Sequence, residues 1–281
     1  MASDRGAFGV NTYSYVYSHE AVACLAHLAD LGYRDIELMM YPGHAWPAEM
    51  SAGDRRDLAK VVSERELRLR TLNMPNLDLN VAAANPEMRA LSLKNLSEIV
   101  DLAGELGVPG VVLGPGKPNP LFPNPPELLM GWFREALDTL VPAAAKAGTR
   151  MVAENMPFGF LPRADQMMAA LDDYGADEVG VVYDVANAVF AREDPVHGLR
   201  LVKDRLELVH LSDTGLDAYR HDPVGRGVVD FAGFAEGLAA VGYAGVAMLE
   251  VISENADDDI ADSADRLLAM APWQSFLAVG A

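Results

Sequence analysis

Eight short apolar runs, each followed by a longer amphipathic stretch, recur along the whole of this 281-residue chain. They are AFGVNTY from Ala7, DIELM from Asp35, LRLRTLNM from Leu67, GVVLG from Gly110, TRMVAEN from Thr149, VGVVYDV from Val179, LELVHLSD from Leu206 and GVAMLEV from Gly245. Their length and β-branched content suit strands buried on both faces. The stretches between them space apolar residues three and four apart, as helices do. HEAVACLAHLADLG and PEMRALSLKNLSEIVDLAGELG are two such helices, and Gly32, Gly107, Gly148 and Gly242 stand where C-terminal caps belong. Strands separated by helices pair in parallel, because a parallel neighbour is reached only by a crossover. Eight uninterrupted units predict a closed (β/α)8 barrel of the α/β class, a single domain over residues 1–281. A hydrophobic content of 51% is enough for one large core. The Pro-rich stretch Pro115–Pro126 reads as the loop after strand four, since the alternation resumes beyond it without a change in composition.

Charge and cysteine usage then narrow the chemistry. The chain has 41 acidic against 22 basic residues, a formal charge of −19. Such a surface repels nucleic acid and anionic membranes, because affinity for a phosphate backbone comes mostly from Lys and Arg displacing counterions. No nucleic-acid partner and no membrane partner is expected. Cys24 is the one cysteine, so neither an internal disulfide nor a thiolate zinc site can form. It falls on the apolar stripe of the first helix, as an inert buried thiol. No apolar run approaches the ~20 residues of a membrane span. The N-terminal MASDRGAFGVNTY lacks the charged-then-apolar order of a secretory signal. A cytoplasmic location is the expectation, and a homo-oligomer is compatible with it. Neither nucleotide-binding glycine fingerprint is present, nor a G-x-S-x-G nucleophile elbow.

In a parallel barrel the catalytic groups sit where strands end and the following loops begin. The fifth run ends in Glu154-Asn155, the sixth in Asp184, the seventh in His210 followed by Ser212 and Asp213, and the eighth in Glu250. Acidic residues often follow strands as helix caps, which would account for Asp184 or Asp213. Glu caps poorly, so that explanation does not reach Glu154 and Glu250. Three carboxylates and one imidazole at one height suit a divalent ion such as Mn²⁺, Mg²⁺, Co²⁺ or Zn²⁺. An ion bridging two substrate oxygens stabilises the enediolate formed when a proton leaves the carbon beside a carbonyl.

These four residues, with GYRDIELM, AEN, YDVAN, VHLSD and HDPVGRGVVDF, resemble the sugar (phosphate) isomerase/epimerase group of the xylose isomerase-like TIM barrels, from Phe8 to about Leu268. The resemblance implies that Glu154, Asp184, His210 and Glu250 hold one divalent ion, and that Glu154 and Glu250 are the catalytic acid/base pair on opposite faces of a ketosugar. It also places Arg220 and Glu37 near substrate-contacting positions. Two departures stand out: Asn187 replaces a substrate-contacting His, and Phe160 replaces a further Glu. The same superfamily contains three-zinc endonucleases of abasic DNA. Their additional ligands would fall on Asn73, Gly114, Asn187 and Tyr219 here, leaving His221 alone of that set.

The substrate-binding set read from the sequence is Glu37, Asn73, Asn187, Arg220, His44 and Trp46. The last two lie in MMYPGHAWP after strand two, where they could close over substrate or pack on the barrel rim. Tyr13 and Tyr15 close strand one and could line the pocket or cap the core. The expected activity is isomerisation or epimerisation of a small ketosugar or polyol-derived ketone. A dehydratase or decarboxylase acting on a keto-sugar or keto-inositol could use the same ion and base. A non-catalytic sugar-binding or accessory barrel would have no need to keep all four ligands.

Overall fold

A computed structural model describes residues 5–74 and 79–280 of the chain. Residues 1–4, on which part of the N-terminal reading rests, lie outside the described residues. Strands β1 (Gly9–Asn11), β2 (Asp35–Met39), β3 (Arg68–Asn73), β4 (Gly110–Leu113), β5 (Arg150–Glu154), β6 (Val179–Asp184), β7 (Leu206–Leu211) and β8 (Ala247–Leu249) pair in parallel and in sequence order. The barrel closes where β8 meets β1, with Gly9 opposite Met248 and Val10 opposite Leu249. Each strand falls within one of the eight apolar runs.

The crossovers are α1 (Ala21–Asp30), α2 (Ala52–Glu64), α3 (Pro86–Leu106), α4 (Pro126–Ala147), α5 (Ala164–Ala170), the short pair α6 (Val185–Phe190) and α7 (Pro195–Val202), and α8 (Phe231–Ala240). Helices α9 (Ala256–Leu268) and α10 (Ala271–Gly280) follow β8. Gly107 and Gly148 cap α3 and α4 in the left-handed conformation, at φ 67° and 79°, where a Cβ would be strained. The Pro-rich stretch is the β4–α4 loop, and it rests on the β5–α5 loop through Phe160 N–H donating to Gly116 O at 3.1 Å.

Alternation along the strands positions the site. Side chains two apart share a face of the sheet. Val112, Val152, Val182, Leu208 and Met248 form an apolar cluster inside the barrel, apart from the larger core between strands and helices. Gly9 leaves room for Met248, since a Cβ there would stand 2.7 Å from its sulfur. Two residues further along, the same inward face carries Gly114, Glu154, Asp184, His210 and Glu250. The apolar layer is therefore the floor beneath a polar one.

Candidate metal centre

Glu154 and Asp184 end β5 and β6, His210 is the penultimate residue of β7, and Glu250 follows β8 directly. All four are buried, and one ligand atom from each lies within 4.8 Å of the others. His210 Nδ1 is 3.1 Å from Glu250 Oε2, 3.3 Å from Glu154 Oε1 and 3.7 Å from Asp184 Oδ2. Asp184 does two things: its Oδ1 accepts from Asn187 N–H at 2.6 Å as the α6 cap, and its Oδ2 is left facing the cluster. Asp184 Oδ2, His210 Nδ1 and Glu250 Oε2 are all buried without a hydrogen-bond partner. Each such atom costs about 1–3 kcal/mol, and three converging on one point fit a cation there. Carboxylate oxygens with an imidazole nitrogen suit the divalent ions named above. No other cluster of this kind occurs among the described residues.

Burial pushes Glu154 up and Glu250 far up, and neighbouring carboxylates add to both, against the opposing pull of His210. Burial disfavours the His210 imidazolium, but Glu37, Glu250, Asp184 and Glu154 outweigh it and hold the ring well above the usual histidine range. Asp184 is also pushed up by burial, yet His210 and His221 bring it below its ordinary value.

A ring of buried polar side chains adjoins the cluster. Glu37 Oε1 accepts from Asn11 Nδ2 at 2.5 Å and Asn73 Nδ2 at 3.1 Å, while Oε2 accepts from Thr71 Oγ1 at 2.5 Å. His210 Nε2 approaches Oε1 to 2.9 Å, off the line of a hydrogen bond. Asn11 Nδ2 also reaches Glu250 Oε1 at 3.1 Å.

Above the cluster opens a cavity of about 340 Å³, lined on its apolar side by Tyr13, Met39, Met156, Tyr219 and Ile252. One wall comes from the long β7–α8 loop, which Asp213 folds back. Its carboxylate accepts the N–H groups of Thr214, Gly225 and Val229, and its backbone pairs with Asp222. The fold-back brings Tyr219 and His221 over the ligands. Tyr219 Oη is 2.7 Å from Asn187 Oδ1 and 2.6 Å from His221 Nε2, and His221 Nδ1 is 2.9 Å from Ser212 Oγ. Asn187 Nδ2 donates to Asn155 O at 2.8 Å and reaches Glu154 Oε1 at 3.4 Å. Burial lowers the His221 pKa and raises that of Tyr219.

Of the expected substrate-binding residues, Asn73 and Arg220 line this cavity. Asn187 sits behind its wall, bonded to Tyr219. Glu37 is wholly buried and is not among the residues that line the cavity. His44 and Trp46 line a different cavity beside α1 and α2. His44 Nδ1 is tied to His19 O at 2.6 Å and Nε2 to Thr12 Oγ1 at 3.1 Å. Tyr219 and His221 entered the sequence reading only as remnants of a different metal pattern. The local signal that could have placed them was the pair of aspartates, Asp213 and Asp222, at the two ends of the fold-back.

A protein named "Probable endonuclease 4" from Mycobacterium leprae is 30% identical over 197 residues, covering 65% of this chain and 73% of that protein. The L-ribulose-5-phosphate 3-epimerase of Escherichia coli O1:K1 is 26% identical over 132 residues, 47% of this chain and 46% of that protein. The chain thus spans about half the length of that curated relative. The solved structure of a D-tagatose 3-epimerase-like protein superposes with a TM-score of 0.81 at 21% identity, covering 97% of both chains, which shows a common fold. The model of one family, described as the xylose isomerase-like TIM barrel, matches residues 25–270. The eight-stranded barrel and this match together establish that the chain belongs to the xylose isomerase-like TIM barrel family.

Proposed function

We propose that the protein is a divalent-metal-dependent epimerase or isomerase of a small ketosugar or polyol-derived ketone. One observation carries this reading. Two buried carboxylates, Glu154 and Glu250, flank a single candidate ion site and line a cavity large enough for a sugar. Carboxyl groups poised in this way are suited to trading protons with carbon acids. Relatives named for 3-epimerisation of ketoses support the same chemistry.

A divalent ion at the site, with Mn²⁺ the first choice, would supply a Lewis acid for the substrate oxygens. The chain supplies the rest. One glutamate removes the proton beside the carbonyl, and the other returns one from the opposite face, inverting the carbon. Asn187 Nδ2 and Asn11 Nδ2 each orient one of the two carboxylates through its Oε1. Met39, Met156 and Ile252 give the cavity an apolar wall.

The test is solvent exchange over a panel of ketoses and inososes with Mn²⁺-loaded protein in D₂O. Deuterium should enter at the carbon beside the carbonyl. Glu154→Gln and Glu250→Gln should each lose about 10²–10⁴-fold in turnover while still taking up Mn²⁺. Full turnover in either variant would overturn the acid/base assignment. Release of water or CO₂ with an altered skeleton would identify a lyase instead. The endonuclease relative makes an abasic-site duplex a necessary further substrate. The charge of −19, and Asn187 and Tyr219 where that site would need metal ligands, support an outcome of no cleavage.

A further inference from the structure

Three hydrogen bonds converge on Glu37. Two come from amide nitrogens, Asn11 Nδ2 and Asn73 Nδ2, and one from the Thr71 hydroxyl, while His210 Nε2 stands 2.9 Å away, off the line of a hydrogen bond. An amide nitrogen can only donate, so Glu37 acts as an acceptor on every side. Glu37 is not among the residues that line the cavity, and it has no accessible surface. A buried carboxylate with no route to substrate needs another reason to stand inside a barrel.

Its neighbours supply one. The two nitrogens of an imidazole lie on opposite sides of the ring. Nε2 of His210 is on the Glu37 side, and Nδ1 faces Glu154, Asp184 and Glu250. A carboxylate charge 2.9 Å from Nε2 favours the tautomer that carries its hydrogen there, leaving the Nδ1 lone pair toward the cluster. Asn11 makes a second arm. Its Nδ2 bridges Glu37 Oε1 and Glu250 Oε1, so that Glu250 Oε2 is the oxygen left without a partner near His210 Nδ1.

We propose that Glu37 is a positioning residue of the metal centre, setting the tautomer of His210 directly and the rotation of Glu250 through Asn11. This rests on the reading that Glu154, Asp184, His210 and Glu250 hold a divalent ion. Carboxylates that orient a ligating histidine from behind raise metal affinity by about 10–100-fold. Glutamine is nearly isosteric with Glu37, but it carries no charge, and its amide hydrogens would meet donors.

The probe is Mn²⁺ alone, titrated into the metal-free full chain and followed by the paramagnetic resonance of the free ion. Wild type should bind one ion, and Glu37→Gln should bind about 10–100-fold more weakly. Glu37→Asp retains the charge but draws it back by one methylene, so its affinity should fall between the two. If Glu37→Gln does not fold, the aspartate variant carries the comparison. A third measurement reads the ring itself. In protein loaded with Zn²⁺ and labelled with ¹⁵N-histidine, the His210 proton should reside on Nε2, and its resonance should shift between wild type and Glu37→Gln, a change that filling a core would not produce. Equal affinity in wild type and either variant, or a proton on Nδ1 of the loaded protein, overturns the proposal. Failure of wild type to bind Mn²⁺ would instead bring down the metal reading on which it rests.

Discussion

Asn187 has one orientation that satisfies its surroundings. Its Nδ2 faces two acceptors, Asn155 O and Glu154 Oε1, so its Oδ1 must accept the Tyr219 hydroxyl proton. A hydroxyl has a single proton, so His221 Nε2–H must donate to Tyr219 Oη, and His221 Nδ1 accepts from Ser212. The chain of donors therefore runs one way, from Ser212 through His221, Tyr219 and Asn187 to Glu154. Tyr219→Phe keeps the ring against Phe158 and Phe190 but strands the Asn187 oxygen and the His221 N–H. Losing one such bond is worth about 1.4 kcal/mol, which is tenfold in rate. Steady-state kinetics with the ketose turned over fastest should show kcat down about tenfold, with KM and bound Mn²⁺ unchanged. Loss of the metal together with activity would place Tyr219 in the ion site instead.

At the scale of elements, the β6–α7 contact depends on a missing side chain. Tyr183 points outward from β6 and donates to Glu193 at 2.8 Å, and Glu193 also accepts Ala164 N–H at the start of α5. Gly198 of α7 lies directly over that hydroxyl, and a Cβ there would stand 1.9 Å from Tyr183 Oη. Tyr183 is wholly buried and has nowhere to retreat. Gly198→Ala gains helix propensity, yet overpacking of this kind costs about 1–3 kcal/mol. Urea unfolding should show the variant less stable by that amount. Substitution with no loss would mean that α7 can shift along β6.

At the scale of the whole molecule, seven of the eight strands send polar groups to the barrel's upper interior, where four buried carboxylates surround one histidine. A cation that binds only the folded chain stabilises it by mass action. At a free concentration a thousandfold above the dissociation constant, the gain is about 4 kcal/mol. For a chain of this size, that corresponds to about 10 °C in Tm. Calorimetry of chelator-stripped protein, with and without Mn²⁺, should show this rise, and it should vanish in His210→Ala. Identical melting of stripped and loaded wild type would mean that the cluster holds no ion. No helix among the described residues is long and apolar enough to cross a membrane.

The sequence by itself determined the strand and helix order and the four candidate ligands. Both follow from short-range periodicities: apolar residues at helical or strand spacing, and a polar residue two positions after an inward-facing apolar one, as in Val152–Glu154 and Val182–Asp184. It also put Cys24 on a buried stripe, where the thiol is inaccessible and burial pushes its pKa up to about 12. Depth and loop course were decided elsewhere. Glu37 reads as a strand-end polar residue like Glu154, and only the converging side chains of β1, β3 and β7 show that it adjoins the cluster without lining the cavity. His44 and Trp46 line a separate cavity, with His44 held by bonds to His19 and Thr12, whereas Tyr219 and His221 stand over the ligands because Asp213 folds their loop back. A strand's inward face repeats every second residue and can be read locally. A loop's direction is set by hydrogen bonds to partners that only the closed barrel brings within reach.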